Sequence, residues 1–253
     1  MLAALRFTVL AALWLAATAP IAAAAELKVL TAGAMRGVLE ALLPEFQTVS
    51  GHKVELDNAT AGALAKRIEG GEAFDLAIIT PAVIDDLASK GKIGGGRVDL
   101  AKVGIGVAVK QGAPAPDIST VEALKATLLS AKSVAYIDPK AGGSSGVYFD
   151  RLLDRLGIGE AVRAKARLKS GGYVAELVAS GDAELAVHQM SEILPVKGVT
   201  LVGPLPAPVQ NTTVYAAGIG AAAREPAAAK ALLEHLTGPG AASVLAAKGM
   251  EKP

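Results

Sequence analysis

Residues 29–42, VLTAGAMRGVLEAL, pass from a short apolar strand through small residues straight into an amphipathic helix. Leu27 to Leu30 form the strand run, and Val38, Leu39, Leu42, Leu43 and Phe46 recur at helical spacing. A strand feeding directly into a helix is the repeating unit of folds in which helices cover parallel strands. The joining turn carries Arg36 in the first turn of the helix. A helix N-terminus bears partial positive charge and favours acids, so a cation there calls for an anionic partner.

The pattern continues outward from this unit. KVEL at 53–56 is a second strand, and Leu64 and Ile68 begin a second helix. FDLAIIT at 74–80 is nearly continuous in apolar residues, as a strand buried on both faces should be. Thr80 and Pro81 then open a third helix as cap and first helical residue. GKIGGG at 91–96 precedes no apolar helix and reads as a loop. The glycine-punctuated strand VGIGVAVKQG at 103–112 starts a second strand–helix series, beginning with a Ser119–Glu122 capping box. SVAYID, ARLKS and AELAVHQ are its further strands. Helices are predicted around Phe149 and Leu152, stopped by Gly157, and over 173–180, stopped by Gly181. The proline-spaced stretch 202–212 leads to a last strand, TVYAAGIG, and two alanine-rich helices.

This order predicts an α/β chain of two lobes, each a mostly parallel sheet flanked by helices, with two extended crossings. The first lobe takes residues 26–105 and the return segment 207–253. The second takes 106–206. Hinge motion is expected at about residues 104–108 and 205–213. Lobes of this kind face each other across a cleft, where ligands bind.

Composition narrows the function. The 253 residues include 25 basic and 24 acidic side chains, so no charge excess points to nucleic acid or to a membrane surface. There is no cysteine, which excludes disulfides and thiolate metal sites. The three histidines, His52, His188 and His235, lack metal-ligand spacing. Neither a metal nor a cofactor is expected. Residues 1–25 combine one basic residue, Arg6, an apolar run and an Ala-x-Ala end, the layout of a cleaved export signal. Export to the periplasm fits a chain free of thiols.

Chemistry concentrates in strand-to-helix turns rich in small and hydroxyl residues: TAGAMRG at 31–37, DNATAGA at 57–63 and KAGGSSG at 140–146. Each places exposed backbone N–H groups and a helix dipole beyond the carboxyl end of a strand, an anion site in open α/β sheets. Thr60, Ser144 and Ser145 add hydroxyl donors. GGSSG at 142–146 satisfies G-x-S-x-G, but DPKAGG separates Ser144 from the strand end, which argues against a hydrolase elbow. No Walker A motif is present. His188 and Gln189 end a strand in the second lobe and can face the cleft.

LKVLTAGAMRGVLEALLPEF, NATAGALAKRIEGGEAFDLAI, IDPKAGGSSGVYFDRLLDRLG and LVASGDAELAVHQMSEILP together resemble the molybdate-binding-protein family of periplasmic solute-binding proteins. The resemblance implies a type 2 Venus-flytrap fold and a role as the capture subunit of an ABC transporter, working with a permease. It implies capture of a small anion through Ala34, Met35, Thr60, Ser144, Ser145 and Gln189, to which Arg36 is expected to add the charge; the chain is expected to be a monomer. Members of that family usually carry serine where this chain has Gly33-Ala34-Met35, and usually lack a counterpart of Arg36. The planar fork of arginine suits a carboxylate. GAMRG and HQMSEILP resemble a divergent branch that includes periplasmic aconitate isomerase. That second resemblance implies an enzyme moving an allylic proton of an unsaturated tricarboxylate. Arg36 would hold a carboxylate there and His188 would serve as acid/base group. Anion capture for transport is the primary expectation, and the isomerase is the alternative.

Overall fold

In the computed structural model, which describes residues 24–253, nine hydrogen-bonded strands, eight of them in one continuous path, run through two α/β lobes. The expected leader falls outside the described residues except for its last two.

The first lobe begins as β1 (Glu26–Ala32), α1 (Gly33–Ser50), β2 (Lys53–Ala59), α2 (Ala61–Glu69), β3 (Leu76–Ile79) and α3 (Pro81–Ser89). Helix α1 buries Val38, Leu39, Leu42, Leu43 and Phe46, the predicted stripe. It stops at Gly51, whose φ of 73° lets its N–H bond back to the Gln47 carbonyl at 3.0 Å. Every residue of β3 is buried, as its unbroken apolar run requires.

Strand β4 (Ile93–Lys110) then runs through both lobes. The segment 91–96, expected as a loop, supplies its first residues instead. Gly94 lies so close to the last strand that a β-carbon would come within 3.3 Å of Ala221 Cα. Gly94 therefore serves sheet packing, Gly95 takes a left-handed φ of 76°, and without side chains this run leaves no apolar signal.

The second lobe adds α4 (Val121–Ser130), β5 (Val134–Ile137), α5 (Ser144–Arg155), α6 (Gly159–Arg163), β6 (Ala166–Lys169), α7 (Glu176–Ser180), β7 (Leu185–Gln189), α8 (Met190–Ile193) and β8 (Val199–Pro204). The capping box read at Ser119–Glu122 is replaced by Thr120, whose hydroxyl accepts from Ala123 N at 3.1 Å. The helix expected over 173–180 is confined to α7, because a turn occupies the residues from Val174 to Ala175. The chain returns as β9 (Thr212–Gly220), α9 (Pro226–Thr237) and α10 (Ala241–Ala247).

Strand order is β2-β1-β3-β9-β4-β7-β5-β6, with β8 also on β4. The outer pairs β1–β2, β1–β3, β5–β6 and β5–β7 are parallel. The pairs of β4 and β9 are antiparallel. Strand β4 leaves β9 after Gly104 and joins β7 from Ile105, so the crossing is one peptide wide. The return crossing lies between β8 and β9. The Gln210 side chain ties the two crossings like an extra strand. Its Oε1 accepts from Ile105 N and its Nε2 donates to Ile105 O, both at 2.9 Å. One apolar core fills the first lobe, and two cover opposite faces of the second sheet.

Candidate functional site

The helix starts converge on one cavity between the lobes. Its walls include Gly33 and Ala34 of α1, Thr60 and Ala61 of α2, Ser144 and Ser145 of α5, and Gly171 and Gly172 of the loop before α7. His188, Glu192 and Tyr215 complete it. Helices α1 and α5 start at Ala32 and Gly143, which offer no side-chain cap, and neither has an acidic residue in its first turn. Their N–H groups and dipoles are thus open to an anion from the cavity.

Glycines let the elements approach. A β-carbon on Gly146 would sit 2.2 Å from the Ile137 carbonyl oxygen, so the GGSSG run packs α5 directly on β5. Across the cleft, Gly62 N donates to Gly142 O at 3.1 Å. The Thr60 hydroxyl donates to Ala141 O and accepts from Ala63 N at 3.2 Å. The lobes therefore meet through backbone at the α2 and α5 starts.

A polar network backs α5. Gln189 Nε2 donates to Ser144 Oγ at 3.2 Å, Thr213 Oγ1 at 3.0 Å and Tyr215 OH at 3.4 Å. The Ser144 and Tyr215 hydroxyls are themselves 3.2 Å apart. Gln189 is buried behind the lining and orients the hydroxyls.

A titratable pair faces the start of α1. His188 Nε2 lies 3.3 Å from Glu192 Oε2, and both residues are buried. A β-carbon on Gly33 would fall 2.5 Å from Glu192 Oε1, so only glycine admits this carboxyl against the first residue of α1. Burial pushes the Glu192 carboxyl up to about 8. Burial, with the charge of Lys169 adding to it, pushes His188 down to about 3. Both causes favour a neutral pair, with one proton on the carboxyl and an uncharged imidazole. His188 Nδ1 and Gln189 Oε1 have no hydrogen-bond partner among the described residues.

Of the residues expected from the sequence, Ala34, Thr60, Ser144, Ser145 and His188 line this cavity. Met35 is buried in the first-lobe core, and Gln189 acts through Ser144 and Tyr215. Arg36 stands outside the cavity. Its Nε donates to Glu40 Oε1 at 2.7 Å, and its guanidinium carbon lies 5.9 Å from the Tyr173 ring centroid in the other lobe. The charge expected to meet an anion in the cleft is thus paired here with Glu40, one helical turn on. Glu192, Tyr215 and Gly33 were missed. The only signal for Glu192 was its spacing, four residues beyond His188 in HQMSE.

Comparison with known proteins gives consistent matches. Residues 27–251 match the model of the family described as bacterial extracellular solute-binding protein. An aconitate isomerase from a Pseudomonas species is 35% identical over 251 residues, covering 96% of this chain and 94% of the relative. The molybdate-binding protein ModA of Azotobacter vinelandii is 26% identical over 240 residues, 90% of each chain. The solved structure of the Azotobacter vinelandii periplasmic molybdate-binding protein superposes with a TM-score of 0.76. It is 22% identical and covers 90% of this chain and 99% of that one. Together they show the two-lobed binding-protein fold.

Proposed function

The chain belongs to the bacterial extracellular solute-binding protein family, and from that premise we propose that it is an isomerase of an unsaturated tricarboxylic acid. The observation that carries this reading is the Glu192–His188 pair inside an anion cavity. Capture of an anion needs donors only, and a buried carboxyl works against it. Proton transfer needs an acid/base group that titrates near the working pH. Glu192 has that property and His188 does not. The likeness to an aconitate isomerase supports the same reading.

In this reading the start of α5 holds one substrate carboxylate through Ser144, Ser145 and backbone N–H groups, and the Thr60 hydroxyl, released from Ala141 O, holds a second. Ala34 and Met35 offer N–H groups from α1. Arg36, released from Glu40, takes the third carboxylate at the rim. Ionised Glu192 removes a proton from the allylic methylene carbon, and the C–H electron pair becomes the new double bond. The old double bond's electron pair takes a proton at its far carbon, returned by the Glu192 carboxyl, so the product is an isomer with no net change in atoms or charge and Glu192 is ionised again. His188 Nε2 positions the Glu192 carboxyl. The lobes divide at about residues 105 and 206, close on the ligand by a hinge motion, and form a monomer exported to the periplasm.

The test is spectroscopic. Cis- or trans-aconitate added to the protein should give a changing ultraviolet spectrum. A constant spectrum at high protein concentration rejects the isomerase. A second reading has support from the uncapped α1 and α5 starts. It is capture of a small oxyanion or carboxylate for an ABC permease. Calorimetric titration without turnover would favour it.

A further inference from the structure

Helix α1 is 18 residues long, and its start, which has no side-chain cap, faces the cavity. The Glu192 carboxyl abuts its first residue, in space that exists only because residue 33 is glycine. The adjacent His188 lines the cavity, and its buried Nδ1 has no partner among the described residues. An unpartnered imidazole and the protein's own acid thus meet beside an uncapped helix start.

We propose that Glu192 is a specificity determinant, an internal acid packed against the α1 start that disfavours tetrahedral dianions there while leaving the α5 end for a carboxylate. The proposal rests on the cavity being an anion site, and it stands whether or not turnover occurs. A tetrahedral oxyanion is compact and concentrates its charge, so it needs several donor sets around one centre. With the Glu192 carboxyl packed against Gly33, an acid stands beside the α1 donors, and their convergence on one compact dianion is disfavoured. An elongated polycarboxylate spreads its charge over separate groups and needs no such convergence. Gly33 and Glu192 thus act as one unit, since a side chain at position 33 would drive the carboxyl away.

The experiment is calorimetric titration of the full chain with molybdate and with trans-aconitate. Wild type should bind trans-aconitate and show little affinity for molybdate. Glu192→Ala should bind molybdate at least about tenfold more tightly than wild type, the size of a partly buried helix-end interaction. Gly33→Ser should shift molybdate affinity in the same direction, because its β-carbon displaces the carboxyl without removing it. Circular dichroism checks that each variant is folded. Wild-type protein that binds molybdate as tightly as Glu192→Ala overturns the proposal. So do folded Glu192→Ala and Gly33→Ser proteins that gain no molybdate affinity. The absorbance assay with wild type fails separately: silence there with a molybdate gain in Glu192→Ala sinks the isomerase and keeps the specificity role.

Discussion

Glu192 Oε2 and His188 Nε2 are 3.3 Å apart across the junction of β7 and α8, with solvent almost fully excluded from both side chains. A carboxyl so placed can exchange a proton with a substrate but not readily with water. Glu192→Gln keeps the shape and removes the base. Turnover of aconitate should fall by about 10²–10⁴, the range for loss of a general acid–base group. Substrate binding should survive. Initial rates and titration calorimetry on the same preparation check both halves.

The pair also fixes a pH dependence. The Glu192 carboxyl sits at about 8 in the fold, against 4.5 when unperturbed. Its contribution to stability is fully present below pH 4.5 and is lost as pH rises through about 8, because the unfolded chain releases the proton first. His188, lowered from 6.5 to about 3, acts oppositely: its contribution is present above pH 6.5 and is lost as pH falls toward 3. Urea unfolding at a series of pH values should show stability falling from about pH 4.5 to about 8, with that slope removed in Glu192→Gln. Activity should rise with pH toward about 8, since the proposed isomerisation uses the ionised carboxyl.

Arg36→Ala separates surface pairing from ligand contact. The Arg36 and Glu40 side chains are 43% and 50% exposed, so their ion pair contributes about 0.3–0.5 kcal/mol at most. Melting temperature should hardly move. Affinity for a tricarboxylate should fall about tenfold through loss of a charge-assisted contact. Unchanged affinity would confine Arg36 to its bond with Glu40.

Gly62→Ala tests closure. A β-carbon there would lie 2.9 Å from Gly142 Cα and push apart the backbones joined by Gly62 N and Gly142 O. Alanine suits helix α2 better than glycine by about 1 kcal/mol, so the first lobe itself should not suffer. Ligand affinity should drop, and small-angle scattering should report a larger radius with ligand present than for wild type. Equal radii would show that closure does not need this contact.

Much of the fold was legible because apolar continuity and helical spacing report burial directly. The α1 stripe and the buried runs of β3, β5 and β7 needed no long-range knowledge. The start of strand β4 is not legible, because Gly94, Gly95 and Gly96 carry no side-chain pattern. The need for glycine at position 94 depends on how close the end of β9 comes, which only the fold decides. The same division holds at the site. Thr60, Ser144 and Ser145 announce themselves as hydroxyl residues at helix starts. Glu192 does not, since an acid after a strand is ordinary until Gly33 is brought against it. Arg36 was conspicuous for a local reason, its place on the dipole, and its nearest partner proved local too.

The position of β9 between β3 and β4 has a consequence for folding. Synthesis delivers the second lobe complete, as one unbroken run of chain. The first lobe waits for its middle strand, which emerges near the end of the polypeptide. Until then the edges of β3 and β4 stay unpaired, and the helix starts of the two halves cannot be brought into register. Assembly of the first lobe should therefore be the late, slow phase after dilution from denaturant, dominated by contacts between residues far apart in sequence.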